Sequence, residues 1–263
     1  MDKIPSANPR VRSAASATAA GCDAARRAAD VIRDAIRARG LARVVFASAP
    51  SQDAMLAHLA IEPELDWSRV RSFHMDEYLD LPADHPSCFG LWLQRRLPEQ
   101  AQAGLERIRT DGGLASEAAR YAGLIGEAPI DLVCLGIGVN GHIAFNEPGD
   151  ADPDDAETVR VVSLDAASRR QQVDEGLFER IEEVPTHALS LTVPALLSGR
   201  SLVCSVIGSH KAAAVARALN GPIDASSPAS FLRTHADVTW FLDADAASAL
   251  DRDSERLDTT LQL

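Results

Sequence analysis

Residues 131–149 read Asp-Leu-Val-Cys-Leu-Gly-Ile-Gly-Val-Asn-Gly-His-Ile-Ala-Phe-Asn-Glu-Pro-Gly. The apolar run from Leu132 to Ile137 has the length and composition of a central parallel strand covered on both faces by helices. It breaks into a glycine-rich turn that carries a histidine and a carboxylate. In open parallel sheets ligands lie outside the carboxyl ends of the strands, where Gly138, Asn140, Gly141, His142 and Glu147 fall. Gly136, Gly138 and Gly141 allow tight turning and close approach of backbone to ligand.

Outward from this segment, strands and helices alternate. Residues 11–39 are alanine-rich, with apolar positions at helical spacing (Ala24, Ala28, Val31, Ile32, Ile36) and Gly40 as the stop. Strand character appears at residues 41–47, 70–75, 105–109, 130–137, 158–164, 186–193, 201–207 and 237–242. Helices are expected at 51–60, with Ser51 as N-cap, and at 87–97, 116–125, 209–219 and 246–257. Pro194 opens a further short one. This alternation predicts an α/β fold: a doubly wound, mostly parallel sheet with helices on both faces, Rossmann-like in a modified form. No linker-like stretch or internal repeat divides the sequence, so its 263 residues are expected to form a single domain, 1–263.

Hydrophobic residues make up 46% and charged residues 24%, as in soluble globular proteins. A formal net charge of −12 argues against nucleic acid as a partner. A small anion needs only a few local cations and a helix N-terminus, so it stays open as a ligand. No apolar run approaches the roughly 18 residues of a membrane span, and the N-terminus lacks a signal-peptide hydrophobic region. The expected location is cytoplasmic, with reduced thiols. Cys22, Cys88, Cys134 and Cys204 have no metal-ligand spacing, and Cys134 and Cys204 fall inside strands as small hydrophobes. His58, His74, His85, His187, His210 and His235 show no such spacing either. The acidic tract at 149–157 lacks a calcium ladder and reads as a solvated loop. No metal or cofactor is expected.

Four places can carry chemistry. Asp76 and Glu77 end an apolar strand, and alternation lets at most one of them face a cleft; a general base or a helix N-cap would sit there. His142 follows a glycine turn, with Glu147 five residues on as an orienting carboxylate. Lys211 lies at a strand–glycine–helix junction, where a point charge and free N–H groups make an anion site. The turn holding Ser48, Ser51 and Gln52 is a second strand-to-helix junction. It lacks glycine, and Asp53 places negative charge beside it.

Residues 73–87 (Phe-His-Met-Asp-Glu-Tyr-Leu-Asp-Leu-Pro-Ala-Asp-His-Pro-Ser) and 135–149 closely resemble the two signature segments of the glucosamine-6-phosphate deaminase/isomerase family. Residues 207–212 (Ile-Gly-Ser-His-Lys-Ala) resemble its phosphate-binding lysine segment. The resemblance runs from about residue 30 to 250. It implies conversion of glucosamine 6-phosphate and water to fructose 6-phosphate and ammonia, a hydrolase-class outcome reached without metal or redox cofactor. Asp76 would take the C2 proton and return it to C1 through an enolamine. His142 would move a proton at the ring oxygen, with Glu147 holding the imidazole and Asn140 beside it. Lys211 would bind phosphate, with Ser48, Ser51, Gln52 and Gly141 around it.

The sequence departs from the family pattern at three points. Asn140 stands where many members have Asp; the early loop reads Ala-Ser-Ala-Pro-Ser-Gln (47–52) rather than a glycine-rich turn; and no arginine falls near residues 172–174, with Arg169 and Arg170 unmatched. A 6-phosphogluconolactonase-type hydrolase and a catalytically weak sugar-phosphate sensor are the alternatives on this fold. Family members range from monomers to hexamers, so a homo-oligomer is compatible with the sequence.

Overall fold

The computed structural model describes residues 9–250. A seven-stranded sheet forms its centre, built from β1 (Arg10–Ala14), β2 (Ala42–Phe46), β3 (Val70–His74), β5 (Leu105–Glu106), β6 (Leu132–Leu135), β9 (Ser201–Val206) and β10 (Val238–Asp243). Their order is β1-β10-β9-β6-β2-β3-β5, and every neighbouring pair is parallel. A separate three-stranded antiparallel sheet, in the order β4-β8-β7, is made of β4 (Asp76–Tyr78), β7 (Val159–Ser163) and β8 (His187–Leu191). The strands expected at 158–164 and 186–193 therefore exist but do not join the parallel sheet.

Strand alternation divides the core in two. Val44, Phe46, Leu132, Cys134, Val203 and Phe241 pack on one face, against α1 (Ala17–Arg39), α2 (Asp53–Ala60) and α3 (Phe89–Gln94). Val45, Val133, Leu135, Leu202, Cys204, Trp240 and Leu242 pack on the other, against α4 (Leu114–Gly126), α6 (Val193–Leu197) and α7 (Ala212–Asn220). Both faces are apolar, so the central strands read as continuous hydrophobic runs. Each fully buried aliphatic side chain contributes about 1.5–3 kcal/mol. The α1 helix turns Ala24, Ala25, Ala28 and Ala29 to the sheet, all with no exposed surface, and these small side chains let it lie close. Ser16 caps its start by accepting from the Ala19 N–H, and Gly40 closes its end with an N–H to the Ile36 carbonyl. A third cluster, including Tyr78, Phe89, Phe145, Val162 and Phe178, fills the space under the small sheet.

Four local expectations are corrected. The segment before Ala17 is not helical: Arg10–Ala14 forms edge strand β1 beside β10. Its residues lack an apolar alternation, so only pairing with a distant strand reveals it. Ser51 makes no capping hydrogen bond; a 3₁₀ turn, Pro50–Gln52, runs into α2 with Gln52 at the cap position. A helix absent from the expected set, α5 (Ala166–Asp174), follows β7. At the other end, residues 246–250 form turns, and the rest of the helix expected at 246–257 lies outside the described residues.

From β2 the chain builds outward through β3 and β5, then crosses to β6 and builds the other way through β9 and β10. The winding reverses between β2 and β6. A crevice opens at the carboxyl ends there.

Candidate active site

Four adjacent strands, β9, β6, β2 and β3, deliver their following residues to this crevice. A cleft there is lined by Ser48 and Ser51 after β2, Asp76 after β3, Gly136 and His142 after β6, and Lys211 after β9. The α5 helix and its C-cap residue add Gln171, Gln172 and Glu175. Met75, Phe89, Ala144 and Phe145 supply apolar wall.

Asp76 reaches the cleft because the chain changes sheets within two residues. β3 ends at His74, and β4 begins at Asp76, in register with Ser190 of β8. Asp76 is 7% exposed, and among the described residues none donates a hydrogen bond to its carboxylate. Burial, with the nearby Glu77 charge, pushes its pKa up to about 8. A carboxyl group titrating there is suited to accept a proton near neutral pH. Glu77 points to the opposite side of β4. Its carboxylate accepts the main-chain N–H groups of Tyr78 (3.1 Å), Phe89 (2.9 Å) and Gly90 (2.9 Å). Burial raises it to about 7, against the pull of those three donors. The adjacent carboxylates thus divide the work: Glu77 anchors the start of α3 and Asp76 faces the cleft.

His142 is held from behind. Its main-chain N–H donates to Asn140 Oδ1 (3.0 Å). Its ring Nδ1 lies 2.8 Å from Ser168 Oγ and 3.5 Å from Glu147 Oε2, which leaves Nε2 for the cleft. Gly138 is required here, since a Cβ on it would occupy the space of the imidazole. Gly141 takes φ +95°, the left-handed region that turns the loop back toward β6. Burial works to raise Glu147, but hydrogen bonds from His142, Ser168 and Asn140 hold it below the usual carboxylate range.

Asn140 does not touch the imidazole. Its Nδ2 bridges two carboxylates, Glu147 Oε2 at 2.8 Å and Asp165 Oδ2 at 2.9 Å. Asp165 in turn caps α5 by accepting from the Ser168 N–H (2.6 Å). A carboxylate is therefore present beside Asn140, supplied by a different segment. Asp165 and Ser168 escaped the sequence reading because α5 has no apolar periodicity. The available signal was the Asp-x-x-Ser cap directly after an alternating strand.

Lys211 sits at the end of a 3₁₀ turn, Ser209–Lys211, ahead of α7 and is 3% exposed. Burial lowers its pKa, partly offset by Glu175, whose Oε1 lies 3.4 Å from Nζ. Of the remaining expected site residues, Ser48 and Ser51 line the cleft, and Ser48 Oγ donates to the Phe89 carbonyl (3.1 Å). The structure does not bring Gln52 to the wall. It is fully buried, and its amide donates to the Leu135 and Ser205 carbonyls at the ends of β6 and β9 (3.4 and 3.3 Å). Asn140, Gly141 and Glu147 form a layer behind His142 rather than the wall itself. Arg169 donates to the carbonyls of Ile181 and Val184, and Arg170 is exposed. Neither lines the cleft.

Among the described residues, no group of three or more His, Cys, Asp or Glu is placed to hold a metal ion. No helix among them is long and apolar enough to cross a membrane. Cys134 and Cys204 are fully buried in the strands, and burial pushes both thiols upward.

Residues 15–240 match the family model described as glucosamine-6-phosphate isomerases/6-phosphogluconolactonase. The chain belongs to this family. Within the glucosamine-6-phosphate isomerase/6-phosphogluconolactonase family it is 34% identical to a glucosamine-6-phosphate deaminase of Listeria innocua, over 86% of this chain and 94% of that one. It is 37% identical to one from Streptococcus pneumoniae, over 73% and 80%. A solved monomeric glucosamine-6-phosphate deaminase superposes with a TM-score of 0.84 at 28% identity, covering 91% of this chain and 99% of that one. A 6-phosphogluconolactonase from Trypanosoma brucei superposes at 0.73 with 19% identity, over 92% and 99%; at that identity the likeness is one of fold. The doubly wound, mostly parallel architecture is that of the family.

Proposed function

We propose that the chain catalyses aldose–ketose isomerisation with deamination of an amino-sugar phosphate or a close relative, in the manner of glucosamine 6-phosphate plus water giving fructose 6-phosphate plus ammonia. The observation that carries this reading is the pairing, across one cleft, of a buried carboxylate without a hydrogen-bond partner and an imidazole locked through Nδ1. His142 Nε2 exchanges a proton with the ring oxygen as the sugar opens. Asp76 removes the proton from C2 and delivers it to C1, which turns the amino-aldose into a ketimine by way of an enolamine. Water adds at C2, and ammonia leaves. Each proton removed is returned, so isomerisation needs no outside oxidant. Water enters only at the imine, so the first half is isomerase chemistry and the hydrolase label describes the net outcome alone. Relatives named glucosamine-6-phosphate deaminase, aligned over most of the chain, support the reading.

The roles follow from position. Ser168 and Glu147 orient the imidazole, Asn140 fixes the loop that carries it, and Ser48, Ser51 and Lys211 meet the far end of the sugar. A cytoplasmic enzyme free of metal and redox cofactor completes the proposal. The test is ammonia release from a panel of amino sugars, with and without a phosphate ester, beside lactone hydrolysis. Ammonia release that disappears in Asp76→Asn while ligand binding persists is the expected result. Hydrolysis of 6-phosphogluconolactone without ammonia release would replace the reading with a lactonase. Tight binding without any turnover would replace it with a sensor.

A further inference from the structure

Residues 163–168 read Ser-Leu-Asp-Ala-Ala-Ser, the end of β7 running into α5. Asp165 has extended backbone angles (φ −74°, ψ 170°) and stands as the N-cap of the helix. Its Oδ1 accepts the Ser168 N–H at 2.6 Å, the ordinary work of a cap, for which one oxygen is enough. The second oxygen is used elsewhere. Oδ2 turns away from the helix and accepts from Asn140 Nδ2 at 2.9 Å, 25 positions back along the chain.

Each of these contacts ends one group short of the imidazole. Ser168, whose main chain is fixed by Oδ1, is fully buried and places its Oγ 2.8 Å from His142 Nδ1. Asn140, whose amide is fixed by Oδ2, reaches on to Glu147 Oε2 at 2.8 Å, and that oxygen lies 3.5 Å from the same Nδ1. The other oxygen of Glu147, Oε1, takes the main-chain N–H of Asp165 itself at 3.4 Å. Both oxygens of Glu147 are therefore held from the Asp165 side. The amide of Asn140 suits the bridge because it has two protons, one for each carboxylate. Asp165 is not part of the cleft wall.

From this geometry we infer that Asp165 is a positioning residue for His142, placing both partners of Nδ1, Ser168 and Glu147, and through them setting the tautomer and direction of the ring. The inference rests on the deaminase reading for what the imidazole does in turnover; how the ring is held stands on geometry alone. A neutral imidazole carries one proton, and the hydrogen bond at one nitrogen decides which nitrogen has it. Proton exchange with the ring oxygen of a sugar needs Nε2 in one defined state and within hydrogen-bond reach. Once Ser168 and Glu147 are free to shift, the ring populates both tautomers and swings off line. Turnover then slows, while the groups that bind the sugar stay in place.

A helix cap and a positioning residue give opposite results on substitution. Asn and Ser cap helices about as well as Asp, so Asp165→Asn and Asp165→Ser both keep α5, but neither offers two acceptor oxygens. Each variant is expected to match the circular dichroism spectrum of wild type and to lose roughly tenfold in kcat for ammonia release from glucosamine 6-phosphate, with KM changed less than about threefold. Long-range proton–nitrogen correlation spectra of the full chain, with the His142 signals assigned through His142→Gln, read the ring directly. One neutral tautomer is expected in wild type and an average of two in both variants. A kcat within about threefold of wild type in both folded variants, a change confined to KM, or the same single tautomer in all three proteins overturns the inference. If wild type releases no ammonia, the deaminase reading falls, and the spectra alone decide the role of Asp165.

Discussion

The imidazole of His74 reaches past Met75 and donates from Nδ1 to the main-chain carbonyl of Asp76, at 2.8 Å. Its Nε2 accepts the Ile108 N–H at 2.9 Å, and Tyr121 brackets the His74 backbone, accepting its N–H (3.0 Å) and donating to its carbonyl (2.7 Å). A fully buried neutral histidine thus fixes the point where the chain leaves the parallel sheet and enters the small one. Asp76 stands at that point.

His74→Ala leaves the Ile108 N–H and the Asp76 carbonyl unpaired beside a cavity. A loss of about 3 kcal/mol is expected in denaturant unfolding, together with a fall in kcat larger than the change in KM, since Asp76 loses its anchor rather than its chemistry. Burial holds His74 down to about 4, below its ordinary 6.5. The unfolded chain therefore takes up the proton first, and the stability His74 contributes above pH 6.5 drains away as pH falls toward 4. That part of the acid sensitivity should be missing from the variant.

Asp76→Asn is expected to reduce kcat by roughly 10²–10⁴-fold. The same substitution should stabilise the protein in alkali. A carboxyl group raised from 3.8 to about 8 contributes stability that is complete below pH 3.8 and is lost as pH rises through 8. The amide carries no such penalty, so a gain of roughly 5 kcal/mol over wild type is expected at pH 9 and none at pH 4. In wild type, kcat/KM should climb with pH through about 8 as the base ionises. Equal stability of the two proteins at pH 9 would contradict this assignment.

Glu77→Gln separates the neighbouring carboxylates. The variant loses part of the support for three main-chain N–H groups and should unfold about 1–3 kcal/mol more easily. It keeps its base, so kcat at high pH should be largely retained. Removing the Glu77 charge also relieves Asp76, and the rise of kcat/KM should move to lower pH.

Asn140→Asp would place a third carboxylate against Glu147 and Asp165 and remove the amide that bridges them. The expectation is a loss of about 2–3 kcal/mol at pH 7 and no gain in activity, measured by thermal unfolding beside turnover. Adding Asp165→Asn restores one donor but leaves the introduced carboxylate facing Glu147, so only part of the loss should return. Full recovery would mean that the Glu147 contact carries little weight.

Ser168→Ala removes the hydroxyl at 2.8 Å from His142 Nδ1. The ring keeps only Glu147, at 3.5 Å, and a tenfold fall in kcat, equivalent to about 1.4 kcal/mol, is expected with unfolding little changed. Recovery of the rate in Ser168→Thr would distinguish loss of the hydroxyl from loss of packing.

Much of this was legible in the chain. The run Leu132–Ile137 and its neighbours are apolar on both faces, which only a sheet covered on two sides satisfies, so the parallel centre follows from composition alone. Alternation at Asp76–Glu77 required that the two carboxylates face apart, and they do. The glycines around His142 marked the turn, and Lys211 lies where the strand–glycine–helix junction put it. Local patterning decides these features because each depends on residues within a few positions of one another.

Other features arise only from long-range contact. The edge strand Arg10–Ala14 acquires its identity only from β10, and the strands at 159–163 and 187–191 lie outside the main sheet because they pair with each other, and 187–191 with β4, in antiparallel fashion. Asp165 and Ser168 meet Asn140 and His142 across 25 and 26 positions of sequence with no periodic signal, and Glu175 meets Lys211 across 36. A backbone preference is set by near neighbours, but the charge balance of a pocket is a sum over side chains brought together from separate elements. Residue order alone says which side chains can do chemistry at the ends of the strands; folding settles which of them are already paired with one another.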